Sequence, residues 1–342
     1  MEHFLIIVHL MLFLVLSNMP TMSSIRALSS NYERDIGIFL RKDAIRHMLP
    51  KTDDALSTKS SALPNKRKAV ISRRFRWTNK TIPFQLQQGQ FTRRQLHDLK
   101  TAMGMYTNET CLSFRPATWM DVDKLFFKNG RGCSSQSIGM AGGTQTINLS
   151  TDGCRSIGMY LHELGHAVGL LHEHQLPGRD EHIRINWQNV QPSMRRWFDI
   201  YSPQEVENYD IPYDVTSVMH YGIKSFSKDD SDTITTVDPA DREKVGEIYW
   251  KVLSFTDVKV VNLMYNCSDH CPSHITCPPE GFLTKNCQCV TPLTYHEAHC
   301  SNSYENETIC YRFKSIGLCD YTPEWMSENC RKACNRCPGF GV

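Results

Sequence analysis

The chain has 342 residues, 40% of them hydrophobic, which is enough for one sizeable domain with its own core and smaller modules beside it. Its 38 basic and 36 acidic residues give a formal net charge of +2, which offers no electrostatic basis for binding nucleic acid or an anionic membrane. We therefore expect neither nucleic acid nor a stable membrane association among its partners.

The chain opens with an apolar run from about Phe4 to Leu16, followed by small and polar residues. This run is too short to span a bilayer comfortably, so residues 1–17 are predicted to be a signal peptide and the protein to be secreted and extracellular. An uncleaved anchor is the alternative, because no Lys or Arg precedes the run.

Two further features agree with secretion. The chain holds fourteen cysteines, which are concentrated after Cys267 and indicate an oxidising compartment. Five Asn-x-Ser/Thr tripeptides, each of a kind that arises often by chance, predict N-glycosylation. Their acceptor residues are Asn79, Asn108, Asn148, Asn266 and Asn306.

Residues 18–68 are polar, poor in aromatic residues and free of cysteine, and they end on a basic triplet, residues 66–68. Because the triplet stands just ahead of a folded segment, we predict a propeptide that an activating protease removes at this basic site before Ala69. A solvated linker is the alternative.

From about Ala69 to Cys267, strand-like runs alternate with helical patterns, which predicts a mixed α/β domain. The strand-like runs are TIPFQL, KLFFKN and QTINLS, and the helical patterns are TRRQLHDLKTAMGMYTNET and IGMYLHELGHAVGLLHE. The segment that follows is rich in turns and cysteines, and no piece of it is long enough to bury a core without cross-links.

The second helical pattern carries the strongest chemical signal. His162 and His166 are four residues apart, so both imidazoles leave the same helix face one turn apart, which is the spacing of two metal ligands. Glu163 lies beside this pair, where it can deprotonate a water without being a ligand. His172 joins the same metal only if the chain turns sharply, and Gly169 permits that turn. Three neutral imidazoles and a water predict an open, catalytic zinc site.

Hydrogen-bonded core histidines are the alternative explanation of this pattern. From the composition, His-Glu-x-x-His is expected only about 0.03 times in a chain of this length, so chance explains the segment poorly. His174 falls outside the ligand pattern and is predicted to be structural or exposed to solvent.

The motif HELGHAVGLLHEH, followed by RD, INWQNVQPSM and SVMHYG, resembles the astacin family of zinc metalloendopeptidases, which are metzincins. The resemblance covers about Ala69 to Cys267 and implies an α/β (α+β) metzincin-type fold of two subdomains with a mixed sheet, followed by small disulfide-rich modules. It also implies that Glu163 is the general base and that one Zn²⁺ is bound. The implied zinc ligands are His162, His166 and His172.

The resemblance assigns roles to three more residues. Met219 would lie in the Met-turn beneath the metal, and Tyr221 would be a further ligand that swings away to stabilise the tetrahedral intermediate; without the family, both would be interpreted as core residues. Glu173 would pair with the new amino terminus after propeptide removal, for which we expect a cut after Lys68 that exposes Ala69.

Other family features are carried over in the same way. Two disulfides are implied for residues 69–267, Cys111 with Cys267 and Cys133 with Cys154. The segment GTQTINLS, residues 143–150, resembles the upper-cleft edge strand that binds an extended peptide by strand addition. The chain departs from the family at Leu176 and Gly178, where Arg and Asp are usual, which puts the polar network behind the third histidine in doubt.

The leader and the tail also resemble known segments. YERDIGI is similar to the aspartate switch of astacin zymogens, which implies that Asp35 caps the zinc, with an exposed Asp as the alternative. Residues 300–337 resemble an ShK toxin-like (ShKT) domain, with a zinc knuckle as the alternative for their close cysteines. The implied disulfides are Cys300–Cys337, Cys310–Cys330 and Cys319–Cys334.

Residues 268–299 form a cysteine-rich linker that loosely resembles a truncated EGF-like segment. The pairing of its cysteines stays open: Cys271, Cys277, Cys287 and Cys289. As a whole, the sequence predicts a secreted zinc endopeptidase made as a zymogen that cleaves extracellular proteins or peptides. A binding protein that keeps the fold without activity is the rival interpretation, and the residues specify no particular substrate.

Overall fold

The structure is a computed structural model, and it describes residues 68–70, 72–207, 209–246, 252–299, 307–322, 325–326 and 329–334. The predicted signal peptide, the propeptide before Lys68 and the Asp35 switch lie outside the described residues. So do Asn306 and the predicted Cys300–Cys337 disulfide. In chain order the strands are β1 (Ala69–Val70), β2 (Thr81–Leu86), β3 (Ser113–Pro116), β4 (Lys124–Lys128), β5 (Cys133–Ser135), β6 (Thr144–Leu149), β7 (Ile183–Ile185), β8 (Val206–Glu207), β9 (Ile234–Thr236), β10 (Phe282–Leu283) and β11 (Cys289–Val290). The helices are α1 (Arg93–Glu109), α2 (Ile157–Val168), α3 (Phe255–Met264), α4 (Pro292–His299), α5 (Glu307–Ser315) and α6 (Leu318–Tyr321).

A five-stranded mixed sheet forms the N-terminal half of the domain, with the strand order β3-β2-β4-β6-β5. The first four of these strands run parallel, and β5 runs antiparallel to β6. Strand residues that face the core are fully buried, among them Ile82, Leu125 and Ile147. The predicted α/β (α+β) class with a mixed sheet is confirmed.

The edge strand next to helix α2 is β5, so the prediction that residues 143–150 form this edge was wrong. β6 lies inside the sheet, because β4 pairs with one side of it and β5 with the other, at Ser135↔Ile147. Alternating hydrophobicity predicts that a segment is a strand, but it does not predict the strand's neighbours. β5 was not predicted as a strand, because three residues are too few to show an alternating pattern.

Helices α1 and α2 pack against each other and present different surfaces. α1 begins at Thr92, whose hydroxyl accepts a hydrogen bond from the backbone of Gln95 in a capping box. It buries one face, which includes Leu99 and Tyr106, whereas α2 is buried from Gly158 to Val168. Tyr106 donates a hydrogen bond to the Leu161 carbonyl at 2.9 Å. The helix that carries His162 and His166 is therefore the central helix of the domain.

Below α2 the chain has little regular structure. It forms a short antiparallel pair, β7 with β9, and several 3-10 turns before α3. α3 begins with a second capping box, in which Ser254 and Asp257 exchange hydrogen bonds.

Two disulfides cross-link the domain of residues 69–267. Cys111 follows α1 and is bonded to Cys267, which follows α3, across a sequence separation of 156. Cys133 is bonded to Cys154 across a separation of 21. In the chain-entropy model the longer loop is worth about 5 kcal/mol of stability and the shorter loop about 3 kcal/mol. These are the pairs that the family resemblance implies.

The segment after Cys267 packs onto the domain of residues 69–267. Phe282 and Tyr295 belong to the main hydrophobic core, and the Tyr295 hydroxyl donates a hydrogen bond to the Leu253 carbonyl at 2.9 Å. Its disulfides are Cys271–Cys287 and Cys277–Cys289, and Cys289 is the first residue of β11, which pairs antiparallel with β10. The segment is therefore more than a disulfide-linked connection between domains, because it adds to the main core. Its EGF-like character stays a prediction.

The described part of the tail is a small helical unit. Its disulfides are Cys310–Cys330 and Cys319–Cys334, and Met326 and Ala333 are buried between them. The twelve cysteines of the described residues thus form six disulfides. Within the described ranges, no helix combines the length and the apolar character that crossing a bilayer requires.

Candidate metal centre

Three imidazoles converge beneath the sheet. α2 presents His162 and His166 one turn apart, and the helix ends at Gly169, whose φ of +112° turns the chain back. This turn brings His172 to the same place, with its Nε2 atom 3.1 Å from the Nε2 atom of His166. One ligand atom from each of the three histidines lies within 4.8 Å of the others, and all three side chains are buried.

Two of the rings are oriented by a hydrogen bond from Nδ1 to a backbone carbonyl. His162 donates to the Val218 carbonyl at 2.7 Å, and His166 donates to the Leu170 carbonyl at 3.0 Å. Because a carbonyl oxygen only accepts, these contacts fix the tautomer and leave the Nε2 lone pair for a metal.

The electrostatics also suit a metal. Burial lowers the pKa of His162 to about 4, although its hydrogen bond to Val218 acts in the opposite direction. Burial also lowers the pKa of His166 well below its usual range, and the neighbouring His172 and His162 lower it further. These imidazoles are thus neutral at pH 7. Two nitrogens bound to one tetrahedral zinc lie about 3.3 Å apart, close to the observed 3.1 Å. The donor set therefore fits Zn²⁺.

Glu163 is positioned as a proton acceptor beside the imidazoles. Its carboxylate accepts a hydrogen bond from the backbone N–H of Ser135 in the edge strand β5. Its Oε2 atom is buried and has no hydrogen-bond partner among the described residues. Burial raises the pKa of Glu163 to about 8, against the opposing effect of that hydrogen bond. A general base works best when its pKa lies near the working pH.

Met219 and Tyr221 lie next to the ligands. α2 approaches the Met-turn so closely at Gly165 that a Cβ atom there would stand 2.5 Å from the Met219 Sδ atom. The Tyr221 ring lies 4.7 Å from the ring of His172 and stacks on His174 at 3.8 Å. Burial raises the pKa of Tyr221, so its phenol keeps its proton.

His174 is a structural residue and not a solvent-exposed one. Its side chain is fully buried, and its Nε2 atom forms a hydrogen bond with the Trp197 carbonyl at 3.0 Å. Its stacking on Tyr221 places it directly behind the predicted ligands.

The polar network behind the third ligand is present, but other residues supply it. Gln175 accepts a hydrogen bond from the Nδ1 atom of His172 at 3.1 Å and donates to the Asp199 carbonyl at 3.0 Å. Arg179 is buried and donates to the carbonyls of His174 and Phe198 at 2.8 and 3.0 Å. The departures noted in the sequence therefore do not leave His172 without support.

The two departing residues have their own places. Leu176 is buried in a small apolar cluster that also contains Val70 and Tyr201. Gly178 adopts a left-handed conformation with φ of +88°, just before Arg179 enters the network. The sequence predicted no role for Gln175 or Arg179, because neither stands at a spacing that marks a ligand, although Arg179 belongs to the RD that follows the motif.

Glu173 lies beside a lysine. Its Oε1 atom is 3.0 Å from the Lys68 Nζ atom, and both side chains are buried. It also accepts a hydrogen bond from the backbone N–H of Asp214 at 2.7 Å. The backbone N–H of Glu173 donates to the Met219 carbonyl at 3.0 Å, which links the third ligand to the Met-turn.

The predicted glycosylation sites differ in exposure. Asn79, Asn108 and Asn266 are exposed to solvent. Asn148 is half-buried in β6, and its amide donates a hydrogen bond to the Ser134 hydroxyl at 3.0 Å.

Comparison with known proteins identifies two matching regions of the chain. Residues 69–266 match the family model described as Astacin, a family of peptidases, and residues 299–337 match the one described as ShK domain-like. Zinc metalloproteinase nas-38 of Caenorhabditis elegans is 34% identical over 233 residues, which are 67% of this chain and 30% of that protein. Protein SpAN of Strongylocentrotus purpuratus is 33% identical over 266 residues, 73% of this chain and 42% of that protein.

These matches span less than half the length of either relative. Among solved structures, high choriolytic enzyme 1, a hatching enzyme zinc-protease from Oryzias latipes, is similar with a TM-score of 0.51 and 30% sequence identity. That similarity covers 56% of this chain and 92% of the fish protein. The three convergent imidazoles are consistent with the catalytic zinc of astacins. The chain therefore belongs to the astacin family of zinc metallopeptidases and carries a C-terminal ShK domain.

Proposed function

We propose that this chain is a secreted zinc-dependent endopeptidase, made as a zymogen, that hydrolyses peptide bonds of extracellular proteins. The observation that carries the proposal is the buried Glu163 carboxylate, whose Oε2 atom has no partner among the described residues and stands beside three convergent imidazoles. Such a constellation has no evident structural use, since it leaves a buried polar atom unsatisfied.

The residues of the site divide the chemistry among themselves. His162, His166 and His172 hold zinc, which acts as a Lewis acid toward a peptide carbonyl and lowers the pKa of water. Glu163 accepts a proton from the attacking water and then donates it to the leaving amine nitrogen, as the C–N bond breaks. Tyr221 keeps its phenolic proton and donates a hydrogen bond to the developing oxyanion.

The edge strand supports an extended substrate. β5 lies at the border of the sheet, and its Ser135 N–H contacts Glu163, so the strand and the proposed general base belong to one cleft. A polypeptide that pairs with this edge would lie in extended form across the imidazoles. Main-chain pairing of this kind selects an extended peptide but not one particular sequence.

Removal and return of zinc tests the function. Leader-free protein is incubated with a mixture of peptides, and the cleaved bonds are identified by mass spectrometry before chelation, after chelation and after zinc is returned. We expect internal cleavage that stops on chelation and resumes with zinc. Protein that binds zinc but cleaves no peptide would instead be the inactive binding protein.

The zymogen proposal rests on the leader and its end. A cysteine-free leader closes on a basic triplet, at which an activating protease would cut before Ala69. We propose that Asp35 caps the zinc until this cut. Asp35→Ala in the intact chain should raise basal peptidase activity by about tenfold or more, because a carboxylate no longer competes with water for the metal. Asp54→Ala, in the same leader, is the control, and equal activity of the two variants would refute the role of Asp35.

A further inference from the structure

We propose that Lys68 is part of the mature enzyme: activation cleaves the chain on the amino side of Lys68, and the Lys68 side chain supplies the buried cation for Glu173. This proposal rests on the proposed zymogen function and departs from the expectation that the cut follows Lys68. It makes Lys68 a positioning residue of the zinc site.

The Lys68 ammonium occupies the place opposite Glu173. Its Nζ atom is 3.0 Å from the Glu173 Oε1 atom, and the two side chains are only 3% and 2% exposed. The same Nζ atom donates a hydrogen bond to the Thr256 hydroxyl at 2.6 Å. A buried lysine with two such partners belongs to the interior of the folded domain and not to a propeptide that is removed.

Lys68 faces a cluster of three carboxylates, of which two are buried and the third is half-buried. Besides Glu173 these are Asp214, which accepts a hydrogen bond from the Thr256 hydroxyl, and Asp257, which is also buried. Burial lowers the pKa of Lys68, but the charges of the three carboxylates outweigh burial and raise it. Removal of this cation would leave buried negative charges uncompensated, which is strongly destabilising.

The cluster is connected to two zinc ligands. Glu173 directly follows His172, and Asp257 accepts a hydrogen bond from the backbone N–H of Val218 at 2.9 Å. The Val218 carbonyl in turn accepts the hydrogen bond that orients His162. A change at Lys68 would therefore disturb the metal site through both segments.

The backbone on both sides of the Lys68–Ala69 bond is held within the domain. The Lys68 carbonyl accepts a hydrogen bond from the backbone N–H of Leu171 at 3.3 Å, and the next residue, Ala69, is fully buried in β1, where it pairs with Glu207. A cut after Lys68 would detach this buried side chain from Ala69, and with it the cation that faces Glu173.

The Arg67–Lys68 bond also follows a basic residue, and its cleavage keeps Lys68. A protease specific for basic residues would hydrolyse it: the C–N bond breaks, the hydroxyl of water goes to the Arg67 carbonyl carbon, and a proton goes to the Lys68 nitrogen. Because the Lys68–Glu173 ion pair already exists in the uncut chain, this cut serves to uncover the zinc and not to create a cation.

The first test locates the mature amino terminus. The full chain is secreted, matured by the expressing cells or by a protease specific for basic residues, and measured by intact mass and amino-terminal sequencing. A chain that begins at Lys68 or before it supports the proposal. A chain that begins at Ala69 or beyond overturns it, whether or not the protein proves to be a peptidase.

The second test measures what the Lys68 side chain does. Protein that begins at Lys68 is prepared as wild type, Lys68→Met and Lys68→Arg, with Lys80→Met as the control, since Lys80 forms an exposed ion pair with Asp269 at 3.3 Å. We expect Lys68→Met to lower the melting temperature by about 5 °C or more and to release zinc about tenfold faster. Lys68→Arg should restore most of both properties, and the control should match wild type.

Equal melting temperature and equal zinc release in Lys68→Met and wild type would overturn the positioning role. Neither readout needs catalysis, so a failure of the proposed peptidase function would show itself separately, as zinc-loaded wild type that cleaves nothing. If Lys68→Met does not fold while Lys68→Arg does, the loss of the cation is the cause, which supports the proposal.

Discussion

At the scale of single residues, the support of the third ligand shows how a departure from a family pattern can be compensated. His172 is oriented by Gln175, whose amide bridges the Nδ1 atom of the imidazole and the Asp199 carbonyl. Arg179 then fixes the backbone on both sides of this contact. The ligand thus has a hydrogen-bond acceptor behind it, as metal-binding histidines generally do.

Gln175→Ala should weaken zinc binding, because His172 loses the acceptor that fixes its tautomer and its orientation. We expect an affinity lower by about 10- to 100-fold, measured by competition with a chromogenic chelator at about pH 7.5. Gln191→Ala is the matched control, since the Gln191 amide donates to the Ser227 carbonyl at 3.0 Å, away from the three histidines. Unchanged zinc affinity in Gln175→Ala would show that His172 needs no such support.

At the scale of elements, the site depends on the close approach of α2 to the Met-turn. Gly165 permits this approach, because a Cβ atom there would stand 2.5 Å from the Met219 Sδ atom and 3.1 Å from the Tyr106 hydroxyl. Gly104 in α1 has open space instead: apart from its chain neighbours and the backbone of its own helix, no atom of the described residues lies within 4 Å of a Cβ atom at that position.

These two helical glycines should respond to alanine in opposite directions. Gly165→Ala should destabilise the protein by about 1–3 kcal/mol, because the Met-turn must move away from the helix. Gly104→Ala should stabilise it by about 0.5–1 kcal/mol, because alanine is the better helix former and its methyl group enters open space. Denaturant unfolding measures both, and a stabilised Gly165→Ala would mean that the two elements are not tightly packed.

The elements also show where prediction from the sequence succeeds. The hydrophobic patterns of β2, β4, β6, α1 and α2 are local, and the structure has each of these elements where its pattern predicts it. The edge position of β5 is a property of the whole sheet, and three residues carry no periodic signal for it. The expectation for residues 143–150 failed for this reason.

At the scale of the whole molecule, the features of the site that depend on local sequence were predictable, and those that depend on long-range contacts were not. The spacing of His162, Glu163 and His166 fixes their relation on one helix, and the turn at Gly169 explains His172. The contact between Lys68 and Glu173 joins residues far apart in the sequence, and no local pattern predicts it. Likewise, nothing in the composition of residues 268–299 predicted that Tyr295 belongs to the main core of the catalytic domain.

The domain is thus held together by long-range contacts around a locally encoded motif. The Cys111–Cys267 disulfide joins the ends of α1 and α3, and residues 268–299 add Phe282 and Tyr295 to the main core. This arrangement supplies the rigid support that a preorganised catalytic site requires.

The most direct test of the central claim compares wild type with Glu163→Gln, both leader-free and loaded with zinc. Glutamine keeps the shape of the side chain but cannot accept the proton, so the substitution should keep one zinc per chain while kcat for peptide cleavage falls by about 10²- to 10⁴-fold. Zinc content and initial cleavage rates are measured on the same samples. Cleavage by Glu163→Gln at the wild-type rate would contradict the proposed role of Glu163, and with it this account of the site.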